Sequence, residues 1–182
     1  MFEIEKSDLP ANALLQRYTA IEGCYTDCFS TEAGGAINLS DFVAAFYTTP
    51  LFKFERFLLR YTVSKPSTDR EARELANAQI DSFAAWSVEA LENGQLLMCD
   101  SWGKTRSWFM VAPQLDEEKN TTRLYFGSAV VPVPSTKRTK PSISSSHQAM
   151  LGFHKLYSRA LLSAARSRLN HSSEVTTSTR PA

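Results

Sequence analysis

Residues 86–112 read WSVEALENGQLLMCDSWGKTRSWFMVA, and this stretch decides the fold class. Trp86, Val88 and Ala90 alternate with Ser87 and Glu89, the period of two expected where successive side chains point to opposite faces of a strand. Asn93-Gly94 follows at once, a dipeptide that supplies the backbone of a two-residue hairpin turn. Gln95 to Asp100 and Thr105 to Ala112 then read as two more strands joined by a short turn around Gly103. A polar loop from Asp116 to Thr122 leads to a fourth strand, Arg123 to Val131, which Pro132 and Pro134 terminate. Four successive hairpin-linked strands make an antiparallel meander.

The two turns set the register, and they disagree. A turn centred on Gly103 places Asp100 opposite Arg106, Met98 opposite Trp108 and Leu96 opposite Met110, all on one side of the sheet. The Asn93-Gly94 turn pairs Leu91 with Leu96 and sends Trp86, Val88 and Ala90 to the other side. A bulge would reconcile them, as would a sheet covered on both faces with the helices from Leu39 to Tyr61 packed behind it.

Upstream of the strands the period is helical. Asn38 and Asp41 mark an N-cap, and Leu39, Phe42, Val43, Phe46 and Tyr47 recur on one face. Pro50 breaks that helix. Leu51, Phe54, Leu58 and Tyr61 suggest a second, ended by Pro66, and Thr68 with Glu71 forms a capping box that opens a third, polar helix to about Ala78. Downstream, Pro134 to Ser146 has the composition of a mobile loop. A long helix from about His147 to Leu169 follows, its stripe formed by Met150, Phe153, Tyr157, Ala160, Leu161 and Ala164. Arg159, Arg166 and Arg168 fall outside that stripe or near its end. The expected fold is therefore α+β, one domain over residues 1–170 with a disordered tail at 171–182.

The chain has 182 residues, 43% of them hydrophobic, enough for one domain with a substantial core. It contains no apolar run of membrane-spanning length and no signal-peptide pattern at Met1 to Glu5, which points to a cytoplasmic protein with no transmembrane segment. The three cysteines, Cys24, Cys28 and Cys99, then read as reduced thiols. Residues 1–133 carry 12 basic and 18 acidic side chains, whereas residues 134–182 carry 8 basic and one acidic. The favoured reading of this asymmetry is a basic helix packed on its own acidic body. Nucleic acid is not expected as a partner, because the pI of 7.7 is well below that of typical nucleic-acid modules.

Leu124-Tyr125-Phe126-Gly127-Ser128-Ala129-Val130 and Gly152-Phe153-His154-Lys155-Leu156-Tyr157-Ser158-Arg159, with the Trp102 to Val111 strand, resemble a bacterial domain-of-unknown-function family related to the START and polyketide-cyclase helix-grip superfamily. The resemblance implies a sheet wrapped on the long C-terminal helix, with a cavity between them for a small apolar or amphipathic molecule. It implies no catalytic residues.

Several patterns in the sequence could carry chemistry. Gly103-Lys104-Thr105 imitates a phosphate-binding loop, but Met98 stands where that motif needs glycine, and no helix follows to receive an anion. Cys24 and Cys28 lack partners at zinc-site spacing, so neither metal nor other cofactor is expected. Arg106 is the candidate anchor for a ligand anion, with Trp108 and Met98 beside its apolar part. The expected ligand-binding set is Trp86, Met98, Asp100, Arg106, Trp108, Phe126, His154 and Tyr157. Two other readings stay open: a cyclase-like or isomerase-like enzyme in which Asp100, Arg106 or His154 acts on a carbonyl compound, and an interaction module using the basic C-terminal segment.

Overall fold

In the computed structural model, residues 3–53, 67–113, 120–132 and 156–171 are described. The meander is present: β4 (Trp86–Glu92), β5 (Gln95–Asp100), β6 (Thr105–Pro113) and β7 (Thr121–Val130) are consecutive antiparallel neighbours. It sits inside a larger sheet. The order is β1-β2-β7-β6-β5-β4-β3, with β1 (Glu5–Lys6) and β3 (Ser82–Phe83) as two-residue edge strands.

The long β2 (Tyr25–Gly34) lies beside β7 over ten paired positions, so strands begin well before the alternating run that opens at Trp86. Its sequence hides it, because polar residues occupy inward positions. Asp27 is only 5% exposed, yet its carboxylate accepts the Ser128 amide at 3.1 Å, the Ser128 hydroxyl at 2.7 Å and the Tyr25 hydroxyl at 2.9 Å. Paired in this way, a buried carboxylate is tolerable.

The register conflict resolves through both devices at once. Leu91 pairs with Leu96 and Glu92 with Gln95, as the Asn93-Gly94 turn requires. The Gly103 register is the one that gives way, because the connection is a four-residue turn. Asp100 O accepts the Gly103 amide at 3.0 Å, and its side chain accepts the Lys104 amide at 2.7 Å, as expected of Asp opening a type I turn. Arg106 therefore pairs with Cys99, Trp108 with Leu97 and Met110 with Gln95. In addition, a bulge between Val88 and Ala90 shifts β4 by one residue, so Trp86 and Val88 share a face with Met98 while Ala90 turns to the other.

Both faces are covered. On one, Phe29, Leu96, Met98, Phe109, Leu124 and Phe126 pack against α1 (Leu39–Tyr47), α2 (Asp69–Ala76) and the C-terminal helix α3 (156–171). Phe46 is central, its ring 4.8 Å from Phe109 and 4.6 Å from Phe126. The α1 cap is as expected, Asn38 accepting the Asp41 amide at 2.7 Å, and the Thr68 and Glu71 capping box opens α2. Of the helix expected from Leu51 to Tyr61 the part after Lys53 lies outside the described residues, and so does the loop expected from Pro134 to Ser146. On α3 the buried residues are Ser158, Leu161, Leu162, Ala165 and Leu169, while Ala160 is exposed. The buried stripe is thus rotated from the expected one.

The second face was not expected to have a cover from the N-terminus. A strap, residues 7–24, crosses it with a 3-10 helix, Leu14–Tyr18, and lays Ala13, Leu14, Leu15 and Tyr18 on Cys28, Leu97, Trp108, Met110 and Ala129. Gly127 makes this possible: a Cβ there would lie 2.8 Å from Asp27 O and 2.9 Å from Leu15 Cδ2. Gln95, 4% exposed, pins the strap by accepting the Leu14 amide and the Trp108 indole N–H, both at 2.9 Å, and donating to Asn12 O at 3.1 Å.

Candidate functional site

The residues expected to form one ligand site are divided by the sheet. Met98 and Phe126 are buried in the helix-side core, where Trp86 and Tyr157 pack at the margin, whereas Trp108 is fully buried beneath the strap. Met98 and Trp108 therefore lie on opposite faces, a consequence of the one-residue register difference, which exchanges the two faces of a strand. Asp100 caps the hairpin turn and does not face Arg106. His154 lies outside the described residues.

Arg106 is held by its neighbours on the strap side. Its Nε donates to Glu89 Oε2 at 2.9 Å and to the Tyr18 hydroxyl at 2.8 Å, and one terminal nitrogen donates to Gly103 O at 2.5 Å. The Tyr18 hydroxyl in turn donates to Glu89, and the guanidinium carbon lies 4.9 Å from the centre of the Tyr18 ring. The bulge in β4 is what aims Glu89 at this point. Arg17 adds a looser contact to Glu89 at 3.9 Å. Burial, and then the Glu89 hydrogen bond, push the Tyr18 phenol up to about 12. Burial is the largest influence on Arg106 and opposes its charge, but Glu89, Tyr18 and Cys99 together outweigh it and the guanidinium is held more firmly protonated than usual. The cluster is a clamp between strap and sheet, with its acid and base already satisfied by each other.

A second arrangement with two arginines lies at the β1 edge. Leu156, Arg159, Ala160, Ser163 and Arg166 recur at helical spacing on α3, and with Glu3 and Ile4 they line a groove of about 620 Å³. Arg159 donates to Ile4 O at 3.2 Å and Arg166 to Thr31 Oγ1 at 3.3 Å, which ties the helix to the β1 and β2 side of the groove. Seven residues of helix separate them, a rise of about 10 Å. Leu156 is 68% exposed and supplies an apolar wall. The sequence carries the signal, a stripe at i, i+3, i+4, i+7 and i+10 beside the buried one, but a buried stripe placed one residue off, about 100° around the helix, obscures it.

Among the described residues no group of three or more His, Cys, Asp or Glu side chains is placed to hold a metal ion. Cys28 is buried on the strap side, and burial pushes its thiol up to about 12. Cys24 and Cys99 are also raised by burial, partly offset by Arg106. Protonated thiols of this kind are poor nucleophiles and poor ligands at neutral pH. No helix among the described residues is long and apolar enough to cross a membrane.

The class defined so far is an α+β domain with an antiparallel sheet, helices on one face and a strap on the other. No known protein family, curated protein or solved structure matches the chain.

Proposed function

We propose that the protein is a helix-grip-like binding domain for a small amphipathic anion, such as a medium-chain carboxylate, taken in the groove where the C-terminal helix meets the sheet edge. The observation that carries the reading is that Arg159 and Arg166 line one groove with the apolar Ile4, Ala160 and Leu156, the two guanidiniums outnumbering its one carboxylate among the described residues, Glu3. A guanidinium suits a carboxylate because its planar donors match the two oxygens, and the groove volume falls within the range of small-molecule sites. Arg106 is not the anchor in this reading, since Glu89 already occupies it. The function is retention of the ligand and requires no chemical step.

The test is anisotropy of a dansyl-labelled undecanoic acid with wild type, Arg159→Gln, Arg166→Gln and Arg106→Gln. Each of the first two substitutions should weaken binding about fivefold to tenfold, or roughly 1 to 1.4 kcal/mol, and Arg106→Gln should leave it unchanged. Unaltered affinity in both groove variants, or an equal loss in Arg106→Gln, would refute the assignment.

A further inference from the structure

The opposite edge of the sheet carries a second, independent groove with the reverse charge. β3 covers only the first part of β4, pairing with Trp86 and Ser87, and the Val88 amide is taken by Asp81 O at 2.7 Å. Among the described residues no strand pairs with the outer side of Glu89 to Glu92. In a two-residue hairpin the flanking residues, here Glu92 and Gln95, exchange both backbone hydrogen bonds, so the next residue, Leu91, directs its N–H and C=O to the open edge. The Leu91 side chain is 49% exposed.

Beside this edge, between β4 and the end of α2, runs a groove of about 670 Å³. Its apolar floor is Leu75, Ile80, Val88, Leu91 and Leu96. Among the described residues its charged groups are Glu71, Glu74 and Asp81, with no Lys, Arg or His in the lining. Arg70 pairs with Glu74 at 2.7 Å but is 85% exposed and lies outside the groove. The C-terminus of α2 adds a partial negative charge at the same end.

We propose that this edge is a docking site for an extended peptide segment that adds as a strand beside Glu89–Glu92, its apolar side chains in the groove and its Lys or Arg side chains against Glu71, Glu74 and Asp81. Strand addition supplies main-chain hydrogen bonds and the groove selects alternate side chains. The carboxylates repel nucleic acid and anionic membrane surfaces, which leaves a basic, apolar peptide as the fitting partner. The anion groove on α3 has no part in this inference.

The test uses a fluorescein-labelled peptide of alternating Lys and Leu or Val, with the full chain, at two salt concentrations. Three comparisons decide it: a peptide with Glu in place of Lys, a peptide N-methylated at alternate residues, and the variant Leu91→Lys, whose half-exposed position permits folding, checked by circular dichroism. The Lys peptide should bind at least tenfold more tightly than the Glu peptide. N-methylation and Leu91→Lys should each weaken binding at least tenfold. An N-methylated peptide that binds as well as the parent would overturn strand addition, since charge and side chains are unchanged. Equal binding to wild type and Leu91→Lys would overturn the location. Dansyl-undecanoate binding in Leu91→Lys should match wild type, which separates this site from the anion groove.

Discussion

Gln95→Leu is the substitution that most directly tests how the strap is held. The wild-type amide joins three groups, and two of them are buried donors: the indole N–H of Trp108, which is 0% exposed, and the backbone N–H of Leu14, which is 6% exposed. Leucine has similar bulk but accepts no hydrogen bond, so both donors are stranded. At roughly 1 to 3 kcal/mol for each buried polar group left unsatisfied, the expected loss is about 2 to 6 kcal/mol. Asn12 is exposed, so its carbonyl can be hydrated and adds little. Such a loss is a large part of the roughly 5 to 15 kcal/mol that holds a typical domain together. Urea denaturation followed by circular dichroism and tryptophan fluorescence measures it. If the strap detaches before global unfolding, the m-value also falls, because less surface remains to be exposed. A double-mutant cycle with Trp108→Phe isolates the indole bond and should show coupling of about 1 to 3 kcal/mol. A Gln95→Leu protein less than 1 kcal/mol weaker than wild type, with an unchanged m-value, would refute the reasoning.

Two further outcomes follow from local chemistry. α2 ends in a Schellman arrangement, Gln79 N–H donating to Glu74 O and Ala78 N–H to Leu75 O, with Ala78 at φ 55° where glycine is the usual occupant. Ala78→Gly should therefore stabilise by about 0.5 to 1 kcal/mol, read as a higher urea midpoint, and a lower midpoint would exclude backbone strain at this position. The Cys28 thiol, raised by burial and then by Asp27 and Asp8, and the Tyr18 phenol, raised by burial and then by Glu89, are both neutral groups whose folded pKa lies above the unfolded one. Stability is then complete below about pH 9 and is lost as pH rises from about 9 to 12, because the unfolded chain releases these protons first. Melting temperatures from pH 8 to 11 should fall less steeply in Cys28→Ala than in wild type, and parallel curves would contradict the assignment.

Much of the local structure was legible in the sequence because it depends on neighbours along the chain. Asn38 and the Thr68/Glu71 pair cap helices through atoms three residues away, and Asn93-Gly94 fixes its hairpin through its own φ angles. The alternating run from Trp86 and the three following strands declare the meander for the same reason. What could not be read there was everything set by partners distant in sequence. β2 is a strand because β7 pairs with it, and its Asp27 can be buried because Ser128 and Tyr25 are brought beside it. The strap closes the second face only because Gln95, Trp108 and Gly127 meet it across the fold. In the sequence Arg106 reads as a candidate anchor for a ligand anion, placed opposite Asp100. Its partner is decided by one residue of register and one bulge, which put Glu89 and Tyr18 where the sequence suggested Asp100. Composition, caps and periodicity thus determined an α+β chain with an antiparallel meander. The assignment of each charge to a partner, and of each groove to an edge of the sheet, belonged to tertiary structure, because a one-residue shift in pairing moves a side chain to the opposite face at no cost that local sequence records.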